Sequence, residues 1–324
     1  MIFLIQIGID LGANSIRLIS LNDGIIFDEP CMIALDEHNH VLAIGREAFE
    51  MKGLESNSVR VVSPISNTRV DIAALTLLLE QLCDQFKIFR FFTKTTVLFS
   101  YPTSLSNEGC EQIKNALLDL GASKVYYDRE IWFAAIGSRL DLSLPVASCV
   151  MNIGYSNCDI AIFQEGDIKQ YSRGPFAGIQ IGQLIRNWLK KSHNITVTEA
   201  TLEDIVRTLG TVIQETDPLH VTIQGSNTQT HTLTTMTLSG NEIAFLLAPL
   251  VNDLAQWILG FLASVPIETQ KDILLRGIVC SGGSMTLTGL PKKLQELIGC
   301  PVYLTDHPLY TITSGLEIVL DQMD

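Results

Sequence analysis

Residues 7–24 read IGIDLGANSIRLISLNDG, and residues 149–167 read CVMNIGYSNCDIAIFQEGD. The two stretches are copies of one strand–turn–strand unit. Asp10 aligns with Asn152, Gly12 with Gly154 and Gly24 with Gly166, each pair 142 positions apart. A repeat of that length is too long for a solenoid and predicts a duplicated domain. In each copy an apolar strand runs into Asp/Asn-x-Gly, turns and returns as a second apolar strand. Glycine at such a turn lets backbone N–H groups come close to a phosphate. The first copy carries an acid, Asp10, suited to holding Mg²⁺ through water; the second has an amide in its place.

A third glycine turn lies late in the chain. Residues 273–294 read ILLRGIVCSGGSMTLTGLPKKL. A buried strand over Gly277 to Cys280 is predicted to run into Ser281-Gly282-Gly283-Ser284 and then a helix. A strand, a glycine pair and a helix N-terminus make a site for an anion, or for the sugar and base of a nucleotide.

Composition narrows the class. The 324 residues suffice for two domains with ample core, and 47% hydrophobic against 18% charged residues describe an ordered globular protein. A net charge of −13 argues against nucleic-acid binding, which needs basic faces. Cys31, Cys83, Cys110, Cys149, Cys158, Cys280 and Cys300 show no CxxC pair, and the six histidines show no ligand spacing. The cysteines therefore read as buried reduced thiols in a reducing cytoplasm. The apolar run before Asp10 lacks a basic flank and reads as a strand rather than a signal peptide. No run of about 18 uninterrupted apolar residues marks a membrane span.

Between the repeats, strands alternate with helices, which gives an α/β class. A loop is expected over Val61 to Pro64, a helix over Val70 to Cys83, a strand over Val97 to Ser100 and a helix over Ser106 to Leu120. A strand over Lys124 to Tyr127 and a helix over Ile131 to Leu140 follow. Leu142 to Pro145 reads as an inter-domain crossing. In the second half, helices are expected over Gly178 to Lys191 and Glu199 to Leu209, with a Thr-rich strand region over 221–237. A long apolar helix over Glu242 to Ala263 is expected to break at Asn252 and Asp253, with Phe245, Trp257 and Phe261 as candidates for a filament or partner contact. The last helix, Thr313 to Gln322, is expected to return to the first domain.

With these residues in place, the chain resembles the bacterial actins of the MreB cell-shape family over nearly its whole length. Residues 28–51, DEPCMIALDEHNHVLAIGREAFEM, are similar to the family's "NEPS…VLAVGxEA" stretch. Residues 125–140, VYYDREIWFAAIGSRL, resemble its "EEPxAAAIGAGL" helix, 192–206 follow its segment after the second phosphate loop, and 281–320 resemble its last quarter. The resemblance implies the actin-like superfold shared with sugar kinases and heat-shock ATPases, two duplicated domains around a nucleotide cleft. Domain I would take residues 1–144 plus 311–324, and domain II residues 145–310. It further implies ATP or ADP with Mg²⁺, self-association into filaments, and a cytoplasmic protein peripheral on the inner face of the cell membrane. A paralogous actin and wall-synthesis membrane proteins are the implied partners.

The resemblance also assigns site residues, and the chain departs from the pattern there. Gly12, Ala13, Asn14 and Ser15 stand at the first phosphate loop, where the family has "DLGTANT". Gly154, Tyr155, Ser156 and Asn157 stand at the second, where it has "DIGGGTT"; two glycines and a water-positioning threonine are replaced. The family's "GGD" becomes Ala177-Gly178-Ile179. Its "ExxK", which holds ribose and adenine, becomes Glu203 to Val206, keeping the acid and losing the lysine. Gly282, Gly283 and Ser284 form the third loop. Asp10 and Glu130 match the family's metal-linked and water-activating acids, although Ile131 stands where proline is usual. Phosphoryl transfer depends on positioned donors, so these losses imply nucleotide binding with weak or no hydrolysis.

A second site is read in residues 87–94, KIFRFFTK. Phe91 and Phe92 stand among Lys87, Arg90 and Lys94, where the family has a short membrane-inserting loop, and aromatics interleaved with basic residues suit an anionic bilayer surface. The alternatives to a membrane-bound filament protein are a non-polymerising actin-fold adaptor that co-assembles with an intact paralogue, and a small-molecule kinase. The kinase needs a working phosphate cradle, which the altered second loop disfavours.

Overall fold

The computed structural model describes residues 3–53, 58–66, 69–90 and 92–323. The chain divides into two compact units: Met1–Asp141 with Leu309–Asp324, and Leu142–Pro308.

Unit 1 begins with the antiparallel strands β1 (Phe3–Leu11), β2 (Ser15–Ser20) and β3 (Gly24–Pro30). The chain then makes β4 (Ile33–Asp36), β5 (Val41–Ile44), helix α1 (Gly45–Glu50) and β6 (Val59–Val62), with strand order β5-β4-β6 in a small sheet. Helix α2 (Ile72–Gln85) starts where the Asp71 side chain accepts from the Ala74 N–H, and α3 (Asn107–Asp119) where Ser106 accepts from Gly109. Between them lies β7 (Thr93–Tyr101), and after them β8 (Lys124–Arg129) and α4 (Glu130–Gly137). The main sheet has the order β3-β2-β1-β7-β8, with β7 parallel to both β1 and β8.

Unit 2 repeats that plan. Strands β9 (Ser148–Ile153), β10 (Cys158–Gln164) and β11 (Asp167–Arg173) are again antiparallel, and helix α5 (Gly178–His193) follows. The inserted small sheet is β12 (Ile195–Thr196), β13 (His220–Asn227) and β14 (Leu233–Ser239), with α6 (Glu199–Leu209) between its first two strands. Helices α7 (Gly240–Ala263) and α8 (Ile267–Arg276), strand β15 (Ile278–Ser281), helix α9 (Leu290–Ile298) and strand β16 (Val302–Leu304) complete the unit. Its main sheet reads β11-β10-β9-β15-β16, position for position the order of unit 1. The chain then returns to unit 1 as α10 (Thr311–Asp321).

Each main sheet is buried on both faces, as strands parallel to their neighbours require. In unit 1, Ile7, Ile9, Val97 and Phe99 pack with Leu75, Leu79, Ile113 and Leu117 of α2 and α3. The opposite face packs Ile19 and Leu98 against Phe133 of α4 and Leu316 and Leu320 of α10. Helices α4 and α10 cross on glycines: a Cβ at Gly137 would lie 1.9 Å from the Thr311 carbonyl oxygen, and one at Gly315 2.0 Å from that of Phe133. In unit 2 the core gathers Met151, Ile160 and Ile162 with Ile181, Ile185 and Leu189 of α5 and the inner stripe of α7.

Several elements differ from the sequence reading. The segment from Val61 is not all loop, because Val59–Val62 pairs along β4. Helix α7 runs unbroken past Asn252 and Asp253, which lie on its exposed side; it even contains Pro249. Its capping box, Ser239 with Glu242, and an inner stripe of Leu247, Val251, Leu254 and Ile258 hold it straight through. It is long and apolar enough to cross a membrane, yet that stripe lies in the unit 2 core. Phe261 is buried, and the Trp257 ring packs close over Gly174, so of the three aromatics only Phe245 is broadly exposed.

All seven cysteines are free and buried. Burial pushes the Cys31 and Cys83 thiols up to about 12 and Cys110 to about 11. These thiols stay protonated in the fold but ionise in the unfolded chain near pH 8.5. Their contribution to stability is therefore complete below that pH and lost as pH rises toward the folded values. In a thiol titration at pH 8, the native protein is expected to react at fewer than about one cysteine, and all seven are expected to react after denaturation.

Candidate functional site

The two glycine turns have the same internal bond. The Gly12 N–H donates to the Ser15 carbonyl at 3.0 Å, and the Gly154 N–H to the Asn157 carbonyl at 2.8 Å. In unit 1 the turn is pinned from outside as well. The Asn14 carbonyl accepts from the Cys31 N–H at 2.9 Å, and the Ala13 carbonyl from the Ser63 hydroxyl at 3.3 Å. Among the described residues, the N–H groups of Ala13 and Asn14 donate to no protein acceptor, and neither do those of Tyr155 and Ser156. Successive N–H groups left open on a tight turn suit an anion.

Beneath each turn runs a row of polar side chains across the sheet. In unit 1, Asp10 of β1 is buried and lies opposite Arg17 of β2, which lies opposite Asp28 of β3. The Ser100 hydroxyl of β7 donates to Asp10 Oδ1 at 2.7 Å, and Arg17 Nη1 donates to Oδ2 at 3.0 Å. Arg17 Nε lies 2.8 Å from Asp28 Oδ1, an ion pair rather than an aligned hydrogen bond. The guanidinium stacks 5.1 Å from the centre of the Tyr310 ring, whose hydroxyl donates to Asp28 Oδ2 at 3.1 Å. In unit 2 the Ser281 hydroxyl of β15 donates to Asn152 Oδ1 at 3.0 Å. Asn152 lies opposite Asp159, which accepts from Tyr171 at 2.5 Å and lies opposite Arg173. The acid–base order of the first row is thus inverted in the second.

This row bears on the metal expected at Asp10. Both of its oxygens are committed, one to Ser100 and one to a guanidinium. Among the described residues no group of three or more His, Cys, Asp or Glu side chains converges to hold an ion. With a guanidinium on one oxygen and no converging ligands among the described residues, the residues present do not fit a Mg²⁺ ion bound directly to Asp10. Glu130 opens α4 and is buried, two positions after Asp128, which lies opposite Ser100 in the β7–β8 register.

The turns of unit 2 are more closed. The first N–H groups of α5 are consumed by the loop itself: Gly178 donates to the Gly154 carbonyl at 3.0 Å and Ile179 to that of Tyr155 at 2.8 Å. The Ser284 hydroxyl also donates to the Gly154 carbonyl, at 3.0 Å. A Cβ at Gly178 would sit 3.3 Å from the Tyr155 Cα, so the loop lies directly on the helix end. Gly282 has φ +94°, and a Cβ there would lie 2.3 Å from the Ile153 carbonyl oxygen; its N–H donates to Pro308 at 2.9 Å. Gly283 and Ser284 begin a 3-10 turn ending at Thr286. Burial raises the Tyr155 hydroxyl above its ordinary pKa, and the charge of Glu199 adds to this. Arg186, paired with Glu199 at 2.7 Å, opposes the rise, and Glu203 of α6 adds to it.

Residues 154–155, 178, 282 and 284 therefore come together in unit 2, and Glu203 lies on the Tyr155 side of α6. Residues 12–15 form the unit 1 turn. Arg17, Asp28 and Tyr310 were missed by the sequence reading. The hairpin itself held a signal for the first: with Ala13 and Asn14 at the tip, Asp10 and Arg17 fall opposite each other.

A sequence profile described as "MreB/Mbl protein" matches residues 4–324. The chain belongs to the MreB/Mbl family. It is 29% identical to the cell shape-determining protein Mbl of Bacillus subtilis over 321 residues, covering 98% of this chain and 96% of that one. Among solved structures it is similar to MreB5 of Spiroplasma citri bound to ADP, with a TM-score of 0.92, 23% identity, and 98% and 96% of the two chains covered. A MamK double helical filament matches with a TM-score of 0.80 and 15% identity over 99% of this chain and 100% of that one. The fold is actin-like.

The turn at residues 87–94 divides its side chains. Ile88 is buried and Phe89 packs against the unit 1 core, so neither is available to a membrane. Lys87 and Phe92 have φ values of +51° and +66°, and Arg90 Nε donates to the Lys87 carbonyl at 2.8 Å. This backbone holds Phe92 out at 78% exposure beside exposed Lys87, Arg90 and Lys94. Phe91 lies outside the described residues. Leu4, also well exposed, lies opposite Lys94 in the β1–β7 register.

The polar rows predict unequal costs of truncation. Asp10→Ala removes a buried carboxylate and leaves the partly buried Arg17 only one of its two acids, and is expected to destabilise by about 3 kcal/mol. Asn152→Ala removes a neutral acceptor of one serine hydroxyl and is expected to cost about 1–2 kcal/mol. Urea unfolding of the two variants beside wild type checks the order.

Proposed function

We propose that this chain is a membrane-associated, MreB-like cytoskeletal filament protein acting in cell shape or wall-synthesis organisation, one that binds ATP or ADP and hydrolyses it weakly or not at all. The observation that carries the reading is the duplicated turn, with the same Gly N–H bond at positions 12 and 154 and open N–H groups beside each. The ADP-bound MreB5 structure and the MamK filament, as relatives of the same fold, support nucleotide binding and self-association. In unit 1 the backbone from Gly12 to Ser15 would take phosphate oxygens. In unit 2 the turn from Gly154 to Asn157 would do the same, with Gly283 and Ser284 nearby and Glu203 as the acid toward the ribose hydroxyls. A bound nucleotide supplies a polyanion that neutral N–H groups bind without a lysine.

Weak turnover follows from what the second turn has become. Tyr155 and Ser156 stand where glycines allow close approach, Asn157 is buried at the threonine position, and the first N–H groups of α5 are occupied by the loop. Removing one donor to a developing oxyanion costs about 3 kcal/mol, roughly 100-fold in rate. ATP at millimolar concentration is expected to raise the melting temperature by mass action. Phosphate release is expected to stay far below that of an intact homologue, rising about tenfold or more in the Tyr155→Gly/Ser156→Gly/Asn157→Thr variant. Calorimetry with neither heat nor stabilisation would leave a purely structural fold.

Membrane placement rests on the exposed Phe92 among Lys87, Arg90 and Lys94, with Phe91 beside it in sequence. A phenylalanine leaving water contributes roughly 1.5–3 kcal/mol, and each basic residue about 1 kcal/mol at an anionic surface. One copy binds weakly, and a filament of many copies binds by avidity. Phe91→Ser/Phe92→Ser is expected to abolish co-sedimentation with anionic liposomes while leaving the melting temperature and any polymerisation unchanged. Unfolding of that variant would make these rings core, and undiminished liposome binding would place the anchor elsewhere. A protein that stays monomeric at every nucleotide condition would favour the adaptor reading, for which the self-capped α5 is the supporting feature.

A further inference from the structure

We infer that Arg17 is the resident cation of the Asp10 site and keeps divalent metal ions out of it. The inference goes beyond the nucleotide reading and holds whether or not the turns take a nucleotide.

Asp10 stands at the buried end of the central strand β1, 4% exposed. A carboxylate there needs a counter-charge and a full set of donors. The sheet supplies both. Ser100 on the parallel neighbour donates to one oxygen and Arg17 on the antiparallel neighbour to the other. Arg17 is itself fixed: its Nε faces Asp28, its plane lies on the Tyr310 ring, and Tyr310 is tied to the same Asp28. A guanidinium suits this place better than an ammonium would, being planar, permanently charged, able to bridge two carboxylates and able to stack. An ion binding Asp10 would have to approach a fixed positive charge 3.0 Å from the carboxylate, or expel a side chain held by an acid on each side and a ring.

The duplicate supports the same conclusion by a different route. At the matching position unit 2 has Asn152, which carries no charge to balance, and its Ser281 contact is retained. The neighbouring strand accordingly has Asp159, whose carboxylate accepts from Tyr171, instead of a base. Each copy therefore gives its buried polar group a serine partner, and only the copy with an acid there places a base opposite it. Among the described residues no group of three or more His, Cys, Asp or Glu side chains gathers around Asp10 to replace the guanidinium as a ligand set for an ion.

The test uses the full chain, stripped of metal and nucleotide, in about 0.15 M KCl so that diffuse attraction to the acidic surface is screened. Mn²⁺ is the probe, and its free concentration is followed by electron paramagnetic resonance. Wild type and Asp10→Asn are expected to bind equal amounts. Arg17→Gln, which keeps a donor to Asp10 but removes the charge, is expected to gain one Mn²⁺ per chain, at an affinity at least tenfold above any site in wild type. Arg17→Gln/Asp10→Asn is expected to lose that site again. A wild-type site that disappears in Asp10→Asn overturns the inference, as does a folded Arg17→Gln that gains none. If Arg17→Gln fails to fold, wild type against Asp10→Asn decides alone: equal binding upholds exclusion, and a site lost with the carboxylate refutes it. ATP binding is measured separately, so failure of the nucleotide reading leaves this result intact.

Discussion

The demand that a polar group at the end of a buried strand be fully satisfied organises both halves of this molecule. Strands β1 and β9 are each the middle of a five-stranded sheet, and each ends in a buried polar side chain just before its glycine turn. Such a group has no water to fall back on. Its partners must come from the strands beside it: for Asp10 these are Ser100 on the parallel neighbour and Arg17 opposite it on the hairpin partner, and for Asn152 it is Ser281 on the parallel neighbour. Once Asp10 is an acid, a base at position 17 follows, and once position 17 is a base, Asp28 and Tyr310 find their place. With an amide at 152 the requirement lapses, and position 159 takes an acid bound by a tyrosine.

The same economy shows at the turns. In unit 1, outside contacts from Cys31 and Ser63 hold the turn while leaving the Ala13 and Asn14 N–H groups open. In unit 2 the turn is pressed onto the end of α5, and Gly178 and Gly282 are glycines because the backbone of β9 and its turn comes within contact of them. Both turns keep open donors, and the copies differ in where the turn's support comes from. The first copy keeps the more receptive turn; the second spends its helix end on holding itself together.

Membership of the MreB/Mbl family describes residues 4–324. The hydrophobic framework, the sheet order and the α4–α10 crossing on Gly137 and Gly315 carry the fold without reference to the glycine turns. The fold accommodates Tyr155 at the second turn because its side chain is partly exposed, near the charges of Arg186, Glu199 and Glu203.

Sequence alone determined the class, the duplication and the location of the three turns, because glycine spacing and apolar strand runs are local signals that backbone geometry leaves little freedom to reinterpret. It also determined most helices, whose caps at Asp71, Ser106 and Ser239 are written in adjacent residues. It misread α7 at Asn252 and Asp253, since two polar residues on an exposed face break a hydrophobic run without breaking a helix. It left Ile88 and Phe89 unassigned, since nothing in a mixed aromatic–basic string says which side chains turn inward. Only the tertiary structure decided what Asp10 does. Arg17, Asp28, Ser100 and Tyr310 are separated by up to some three hundred positions, and they meet because three strands and the returning C-terminal segment are brought to one sheet edge. A carboxylate's role depends on the charges around it, and those charges are neighbours in space rather than in sequence.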